Sequence, residues 1–328
     1  MPLTSLSSPT STPETPRLFD LKNWSTQQSE HIEQALNRWV ASAGHDASGV
    51  PLSAGMDSLC QAMRYAVLDG GKRLRPLLVL AACEAVHGNR HAALRAACAV
   101  ELIHAYSLVH DDMPCMDNDI LRRGKPTVHV KFGQAQALLA GDALQALAFE
   151  LLTPDENASD AFDTATQVRL CRMLAQAAGY QGMAGGQAID LASVGVRLNA
   201  EQLHEMHRLK TGALLQASVM MGAGCGAVPA PVQAALHGYG SAVGLAFQVV
   251  DDILDVTADS ATLGKTAGKD AAQDKPTFVS IMGLPASQRY AQDLLLRALA
   301  SLDTLENNGL RHTDALRALA NMLVHRQH

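Results

Sequence analysis

The sequence predicts an all-α protein, a single large helical bundle, and three observations predict it. Only 4% of the residues are aromatic, and the apolar content is mostly Ala, Leu, Val and Met, a mixture that favours helix over sheet. Long segments repeat apolar residues at helical spacing, punctuated by Gly, Pro and Asn. No segment alternates strictly with a period of two residues, so no strand is expected.

The elements follow in order. Residues 1–25 are rich in Ser, Thr and Pro and read as a disordered tail, with a cleaved targeting peptide as the other reading. Residues 26–328 read as one helical domain. Within it, helices are expected at 28–43, 54–69, 75–88, 90–113, 131–152, 166–180, 200–223, 231–257, 287–302 and 312–326. The stretch Gly212 to Val250 carries no Lys, Arg, Asp or Glu. Pro229, Pro231, several Gly, Gln216, Gln233, His237 and Gln248 interrupt it, so it reads as two buried core helices and not as a membrane span.

Bulk properties exclude several classes. A net charge of −6 leaves no basic footprint for nucleic acid. The six cysteines (60, 83, 98, 115, 171 and 225) are scattered with no C-x-x-C pair. They form neither a disulfide framework nor a zinc signature, and reduced thiols in a cytoplasmic protein are expected.

Two acidic clusters carry the chemistry. "LVHDDMPCMDND" places Asp111, Asp112, Asp117 and Asp119 directly after an apolar helical run. Pro114 is expected to end that helix, and the loop beyond it can return Asp117 to the pair. "FQVVDDILDV" projects Gln248, Asp251, Asp252 and Asp255 from one helical face, where like charges repel unless neutralised. A solvated acidic face explains one such cluster as well. Two of them suggest facing helices whose carboxylates share metal ions, and oxygen-only ligation suits Mg²⁺ or Mn²⁺. Mg²⁺ completes its shell with water and substrate phosphates, which predicts a phosphorylated ligand.

Basic blocks match that ligand. "DGGKRLRP" offers Lys72, Arg73 and Arg75; "LRRGKP" offers Arg122, Arg123 and Lys125; "RLKTG" offers Lys210 and Thr211. "LGKTAGKD" and "QDKPT" add Lys265, Lys269 and Lys275. Taken singly, each is a solvated surface charge; together they exceed the needs of one metal cluster and suggest two anionic substrates.

From about Leu52 onward the chain resembles the trans-type polyprenyl diphosphate synthases, most closely the bacterial farnesyl diphosphate synthases. "DDMPCMD" and "DDILD" look like the two aspartate-rich motifs, and "GGKRLRP", "LRRGKPTVH", "GGQAIDL", "KTGAL" and "LGKTAGKD" fall in the expected order. The resemblance implies an isoprenoid synthase bundle around a deep central apolar pocket, usually a homodimer. It implies three Mg²⁺ ions, with Mn²⁺ a possible substitute, held by Asp111, Asp112, Asp117, Asp251, Asp252 and Asp255. Arg122, Lys210, Lys265 and Lys275 would bind an allylic diphosphate, and Lys72, Arg75, His104 and Arg123 isopentenyl diphosphate. Lys210, Thr211 and Gln248 would act on the allylic cation, with Gln187 and Asp190 as metal-shell or lysine-orienting groups. Lys269 departs from a site position, and "DKPT" departs from the family's usual Gly-Lys-Ser at Lys275. His110 suggests no role.

Product length is expected to be gated by Tyr106 and Ser107, the fifth and fourth residues before Asp111. An aromatic there, with two extra residues in the first motif, resembles enzymes that stop at C15. On an ideal helix Ser107 lies about 40° from Asp111 but Tyr106 about 140° away. C10 and C20 products stay open. A terpene cyclase is a further alternative, disfavoured by DDILD in place of the mixed Asn, Ser or Thr and Glu site of cyclases. A non-catalytic partner subunit is another, disfavoured because both acidic motifs are intact.

Overall fold

The computed structural model describes residues 19–257, apart from 47, 69 and 197, and residues 277–326. The chain is α-helical, with a single two-residue hairpin among the described residues. Residues 1–18 of the expected tail lie outside them, and residues 21–25 are already helix. Helix α1 (Leu21–Trp39) begins where Asp20 accepts the Asn23 N–H at 3.0 Å. The Ser and Thr run at its start hides this from a periodicity reading. Trp24 anchors that turn by donating to Glu84 at 3.0 Å.

The next helices fall close to expectation: α2 (Ala54–Val67), α3 (Leu74–Ala85) and α4 (Arg90–Asp111). The expected 131–152 helix divides into α5 (Val128–Phe132) and α6 (Gln134–Leu152) at Gly133, whose φ of +88° few other residues adopt. α7 (Thr164–Ala178) follows. The sequence reading missed α8 (Met183–Ala192), because Gly185 and Gly186 weaken its helical signal. The expected 200–223 helix is interrupted, with α9 (Ala200–His207) passing through a π-helical turn at Arg208–Gly212 into α10 (Ala213–Gly224). α11 (Ala230–Thr257) is long, and a short α12 (Phe278–Met282), not expected from sequence, precedes α13 (Leu284–Asn307) and α14 (Asp314–His325).

Helix α4 is the axis of the bundle. It packs on α3, α6 and α10 and is buried on nearly all sides. Its many alanines allow close approach by neighbours. α4 and α6 are long and apolar enough to cross a membrane by composition, but both pack within this bundle. The helices α3 and α10 meet backbone to backbone, since a Cβ on Gly222 would lie 2.2 Å from the Val79 carbonyl oxygen.

Charge staples hold the outer helices to α4. Arg73 turns inward, donating to Glu33 at 2.7 Å, Glu101 at 2.6 Å and the Val67 carbonyl at 2.7 Å, so one guanidinium ties α1, α2 and α4 together. Arg95 forks onto Asp160 at 2.8 and 2.9 Å, donates to the Leu151 carbonyl and lies over the Trp39 ring. The hydrogen bonds from Arg95 hold the Asp160 carboxyl below its usual range. A depressed carboxylate stabilises the fold above its unfolded pKa and loses that contribution as pH falls through its folded value. Asp160→Asn is therefore expected to lower stability at pH 7 by about 1.5–3 kcal/mol in urea unfolding, with the gap to the parent protein narrowing as pH falls below about 4.

Candidate active site

Both acidic clusters sit at the C-terminal ends of helices. The α4 helix ends at Asp111 and is capped by Asp112, while Asp251, Asp252 and Asp255 fall in the last two turns of α11. A helix C-terminus already carries partial negative charge, so carboxylates there are doubly unfavourable without a cation. The surroundings of each cluster show how the chain answers that cost.

At the α4 end, the loop after Pro114 turns back so that the Asp117 N–H reaches the Asp111 carbonyl at 2.8 Å. Helix α8 supplies Gln187, which donates to Asp111 at 2.8 Å, and Asp190, which accepts from the Lys210 ammonium at 2.6 Å. Burial pushes the Asp111 carboxyl up against the pull of Lys210 and Gln187, with Asp117 adding to the rise. Burial also opposes the Lys210 charge, but Asp190 and Asp111 outweigh it and hold the ammonium above its usual range.

Asp112 is only 2% exposed and is met by Arg122, whose Nε and Nη2 bind its two oxygens at 2.5–3.1 Å. Even so, burial leaves its carboxyl raised. Arg122 belongs to the two-residue strand β1 (Leu121–Arg122), paired with β2 (Lys125–Pro126). Arg123 and Gly124, at φ of +52° and +75°, form the primed turn that a tight hairpin requires. Among the described residues this is the one strand pair, beside an isolated bridge between His45 and Pro51. Two residues cannot show an alternating pattern, so the sequence signal is Arg-Gly at the turn alone.

That turn sends Arg123 into the Gly70–Gly71 bend, where it donates to the Gly70 carbonyl at 2.7 Å. Gly71, at φ +135°, holds a backbone conformation that side-chain-bearing residues rarely adopt, and the Arg123 guanidinium closes over it. Lys72, Arg75, His104, Arg123 and Arg326 line a cavity of about 1,250 Å³ between α1, α3, α4 and α14. Burial, then the neighbouring Arg326, lowers the Lys72 ammonium, and burial lowers the Arg75 guanidinium, whose Nε has no partner. His104 is driven well below its usual value by burial and by Arg75, Arg123, Arg122 and Arg73. The cavity therefore has positive charge in excess, and an anion would relieve it.

The π-turn places Lys210 and Thr211. Gly186 lets α8 touch the turn, since a Cβ there would lie 2.1 Å from the Lys210 nitrogen. On the other side Gly244 of α11 faces Gly212, with a Cβ position 3.1 Å from its Cα. Thr211 Oγ1 donates to Gln248 at 3.2 Å, and Gln248 donates onward to Asp252 at 2.9 Å.

The second cluster divides by function. Asp252 is 2% exposed and also accepts the Phe278 N–H at 2.8 Å, tethering the first turn of α12, whose start is set by the Thr277–Ser280 capping box. The Phe278 ring stacks on His207 at 5.5 Å, one step before the π-turn. Burial drives the His207 imidazole down to about 3, so it is neutral. Asp255 is buried, while Asp251 is half-buried and paired with Arg326. Arg326 also donates to the Phe247 carbonyl at 3.0 Å and lies over its ring at 4.2 Å. Sequence reading missed Arg326. Its only signal is a basic residue just past an amphipathic C-terminal helix.

Tyr106 is buried and lies edge-on to His110, with ring centroids 5.7 Å apart. His110 reaches the Leu138 carbonyl at 3.1 Å through a notch at Gly141, where a Cβ would lie 2.1 Å from its Nε2. His110 thus braces Tyr106. Ser107 is buried, its hydroxyl returned to the His104 carbonyl at 2.8 Å. Lys265, Lys269 and Lys275 lie outside the described residues.

Among the described residues no three carboxylate, imidazole or thiol side chains converge tightly enough to hold an ion alone. That fits Mg²⁺, which takes one or two carboxylates and completes its shell with water and phosphate. The donor set is all oxygen, and burial leaves Asp111 and Asp112 short of positive charge.

A family model described as polyprenyl synthetase matches residues 56–310. A probable farnesyl diphosphate synthase of Sinorhizobium fredii is 50% identical over 84% of this chain and 80% of its own. The large subunit 1 of a heterodimeric, chloroplastic geranylgeranyl pyrophosphate synthase of Arabidopsis thaliana is 44% identical over 95% of this chain and 81% of its own. A crystal structure of a geranyltransferase from Helicobacter pylori, complexed with magnesium and isoprenyl diphosphate, superposes with a TM-score of 0.79 at 36% identity, covering 98% of this chain and 99% of that one.

Asp252→Ala removes the acceptor of two buried donors, and it is expected to cost about 2–4 kcal/mol in urea unfolding without added cation. The half-buried Asp251→Ala is expected to cost under about 1 kcal/mol in the same measurement.

Proposed function

The chain belongs to the polyprenyl synthetase family, and from that premise we propose that it joins isopentenyl diphosphate to dimethylallyl and geranyl diphosphate, giving (E,E)-farnesyl diphosphate. The observation that carries the reading is the pairing of opposite half-sites. A cavity with excess positive charge lies beside carboxylates that lack it.

Lys72, Arg75, His104 and Arg123 take the diphosphate of isopentenyl diphosphate. The partnerless Arg75 Nε gains an acceptor, and neutral His104 donates without adding charge. Arg122 and Lys210 take the allylic diphosphate, joined by Lys265 and Lys275. Asp111, Asp112, Asp117, Asp251 and Asp255 hold magnesium, three ions in this proposal with Mn²⁺ as a substitute. When bound, the metal offsets the charge of the departing diphosphate. Arg122 and Lys210 oppose the same charge as the C–O bond breaks, which is the step where fixed cations matter most. Thr211 and Gln248, already hydrogen-bonded to each other, present oxygen dipoles to the allylic cation. The isopentenyl double bond attacks that cation, and the released pyrophosphate removes the proton. Asp252 serves the site through Gln248 and α12, and as an ion ligand it is the weakest of the six.

A homodimer is part of the proposal. Leu138 and Leu139 on α6, Val130 on α5 and Ile120 and Leu121 at the hairpin are exposed large apolar residues on neighbouring elements. A cytoplasmic setting is supported by six cysteines that are all free thiols. A C20 product is the second reading. It is supported by the similarity to the Arabidopsis geranylgeranyl pyrophosphate synthase subunit.

Incubation with isopentenyl diphosphate and either primer is expected to yield farnesyl diphosphate by mass, abolished by chelator and restored by Mg²⁺. A geranylgeranyl product would keep the reaction and discard the Tyr106 gate; no condensation with any primer would overturn the proposal. Arg75→Gln is expected to raise the KM for isopentenyl diphosphate about 10- to 100-fold with the allylic KM little changed, measured by initial rates.

A further inference from the structure

Two adjacent arginines point to different halves of the site, Arg122 to Asp112 and Arg123 to the Gly70–Gly71 bend. The hairpin that carries them is slight. It is closed by two residue pairs, Leu121 with Pro126 and Arg122 with Lys125, and so short a ribbon has little stability of its own. It also stands off from the bundle. A cavity of about 60 Å³, lined by Tyr65, Asp112, Arg122, Arg123 and Pro126, lies between it and helices α2 and α4.

Whatever ties the hairpin down therefore decides where both arginines sit. Its base is closed locally by Thr127, which is 2% exposed. The Thr127 N–H reaches the Ile120 carbonyl at 3.1 Å, and its hydroxyl donates to the Asp119 carbonyl at 2.8 Å. Further ties run through the arginines themselves, Arg122 to Asp112 and Arg123 to the Gly70 carbonyl at 2.7 Å. Those are the side chains a diphosphate recruits, so these ties change when substrate arrives. A tether from outside the hairpin that no substrate recruits is Tyr65 of α2. Its hydroxyl donates to the Pro126 carbonyl at 2.8 Å, on the strand that carries neither arginine. The Tyr65 ring is held in turn by α5, which continues from the hairpin. Phe132 meets it edge-on at 5.5 Å, and the Lys131 ammonium lies 3.8 Å from its centroid. Five residues beyond Tyr65 the same chain segment receives Arg123 at Gly70, so one end of α2 grips both sides of the hairpin.

We propose that Tyr65 is a positioning residue for both arginines at once. Its hydroxyl fixes the hairpin against α2 and so sets the two diphosphate-binding half-sites together. The proposal rests on the reading in which Arg122 takes the allylic diphosphate and Arg123 isopentenyl diphosphate. It makes a distinct demand. Loss of a single cation weakens the binding of one substrate. Loss of the tether moves the frame of two neighbouring cations that serve different substrates, and so it weakens both.

The test is steady-state kinetics of the full-length protein, with Tyr65→Phe beside the parent and Arg75→Gln. Tyr65→Phe keeps the ring contacts and removes one oxygen. The KM values for isopentenyl and geranyl diphosphate are both expected to rise about 3- to 10-fold, the effect of one lost hydrogen bond, with kcat within about 2-fold of the parent. In an Arg123→Gln background, Tyr65→Phe is expected to raise the geranyl diphosphate KM as before and to add little to the isopentenyl diphosphate KM. A hydroxyl that served the fold alone would lower the melting temperature and leave both KM values and this cycle unmoved. Calorimetric titration with inorganic pyrophosphate and Mg²⁺ needs no turnover, and it is expected to show weaker binding to Tyr65→Phe than to the parent. A parent protein that condenses no primer would overturn the assigned reaction, while the titration still decides the role of Tyr65. Both KM values and the pyrophosphate affinity within about 2-fold of the parent, while Arg75→Gln shifts its own KM, would overturn the proposal. So would a rise confined to one substrate.

Discussion

Negative charge at the wrong end of a helix is the constraint on which this structure turns. Helices α4 and α11 both end in carboxylates, where the helix itself is negative. The chain surrounds those ends with cations of its own: Lys210 from the π-turn, Arg122 from a hairpin, Arg326 from the C-terminus. The compensation is incomplete, because burial still leaves Asp111 and Asp112 raised. A site that keeps this deficit when folded is prepared for further positive charge.

Delivering those cations requires backbones to come closer than side chains allow. Gly186 lets α8 lie against Lys210, and Gly244 lets α11 lie against Gly212. The π-turn is the consequence at Lys210 and Thr211. One extra residue in the turn re-aims both side chains, Lys210 toward Asp190 and Thr211 toward Gln248. Glycines cost each helix about 1 kcal/mol of propensity and return an arrangement that bulkier residues would block.

The long helices were legible because their apolar period runs for many residues, as at α4 and α11. Helix α8 was not, since its two glycines and ten-residue length leave little periodic signal, and its place is set by contact with Lys210. Helix α12 was not, since five residues carry no periodic signal, although its Thr277–Ser280 capping box is local. The acidic and basic blocks could be read from type and order. Direction could not be. Of the three basic residues in "GGKRLRP", only tertiary structure sends Arg73 inward to Glu33 and Glu101 while Lys72 and Arg75 face the cavity. Asp251 and Asp252 are adjacent in sequence, yet one meets Arg326 at the cavity and the other is buried under α12. His110 gains a purpose only when Gly141 on another helix opens a notch for it.

The resting ion pairs bear on how the proposed reaction is ordered. Arg122 holds Asp112 through Nε and Nη2, and its Nη1 carries two further N–H donors for a diphosphate. A cation that takes over Asp112 frees Nε and Nη2 as well, so it strengthens the hold of Arg122 on the diphosphate. By linkage the coupling is equal in both directions. The Arg326–Asp251 pair sets the same exchange at the second cluster, on the wall of the isopentenyl cavity. Charge neutrality is kept throughout, first by the chain's own arginines and then by metal and phosphate together. Neither ligand alone leaves a balanced site, so the full set of countercharges assembles only when both substrates and cation are in place.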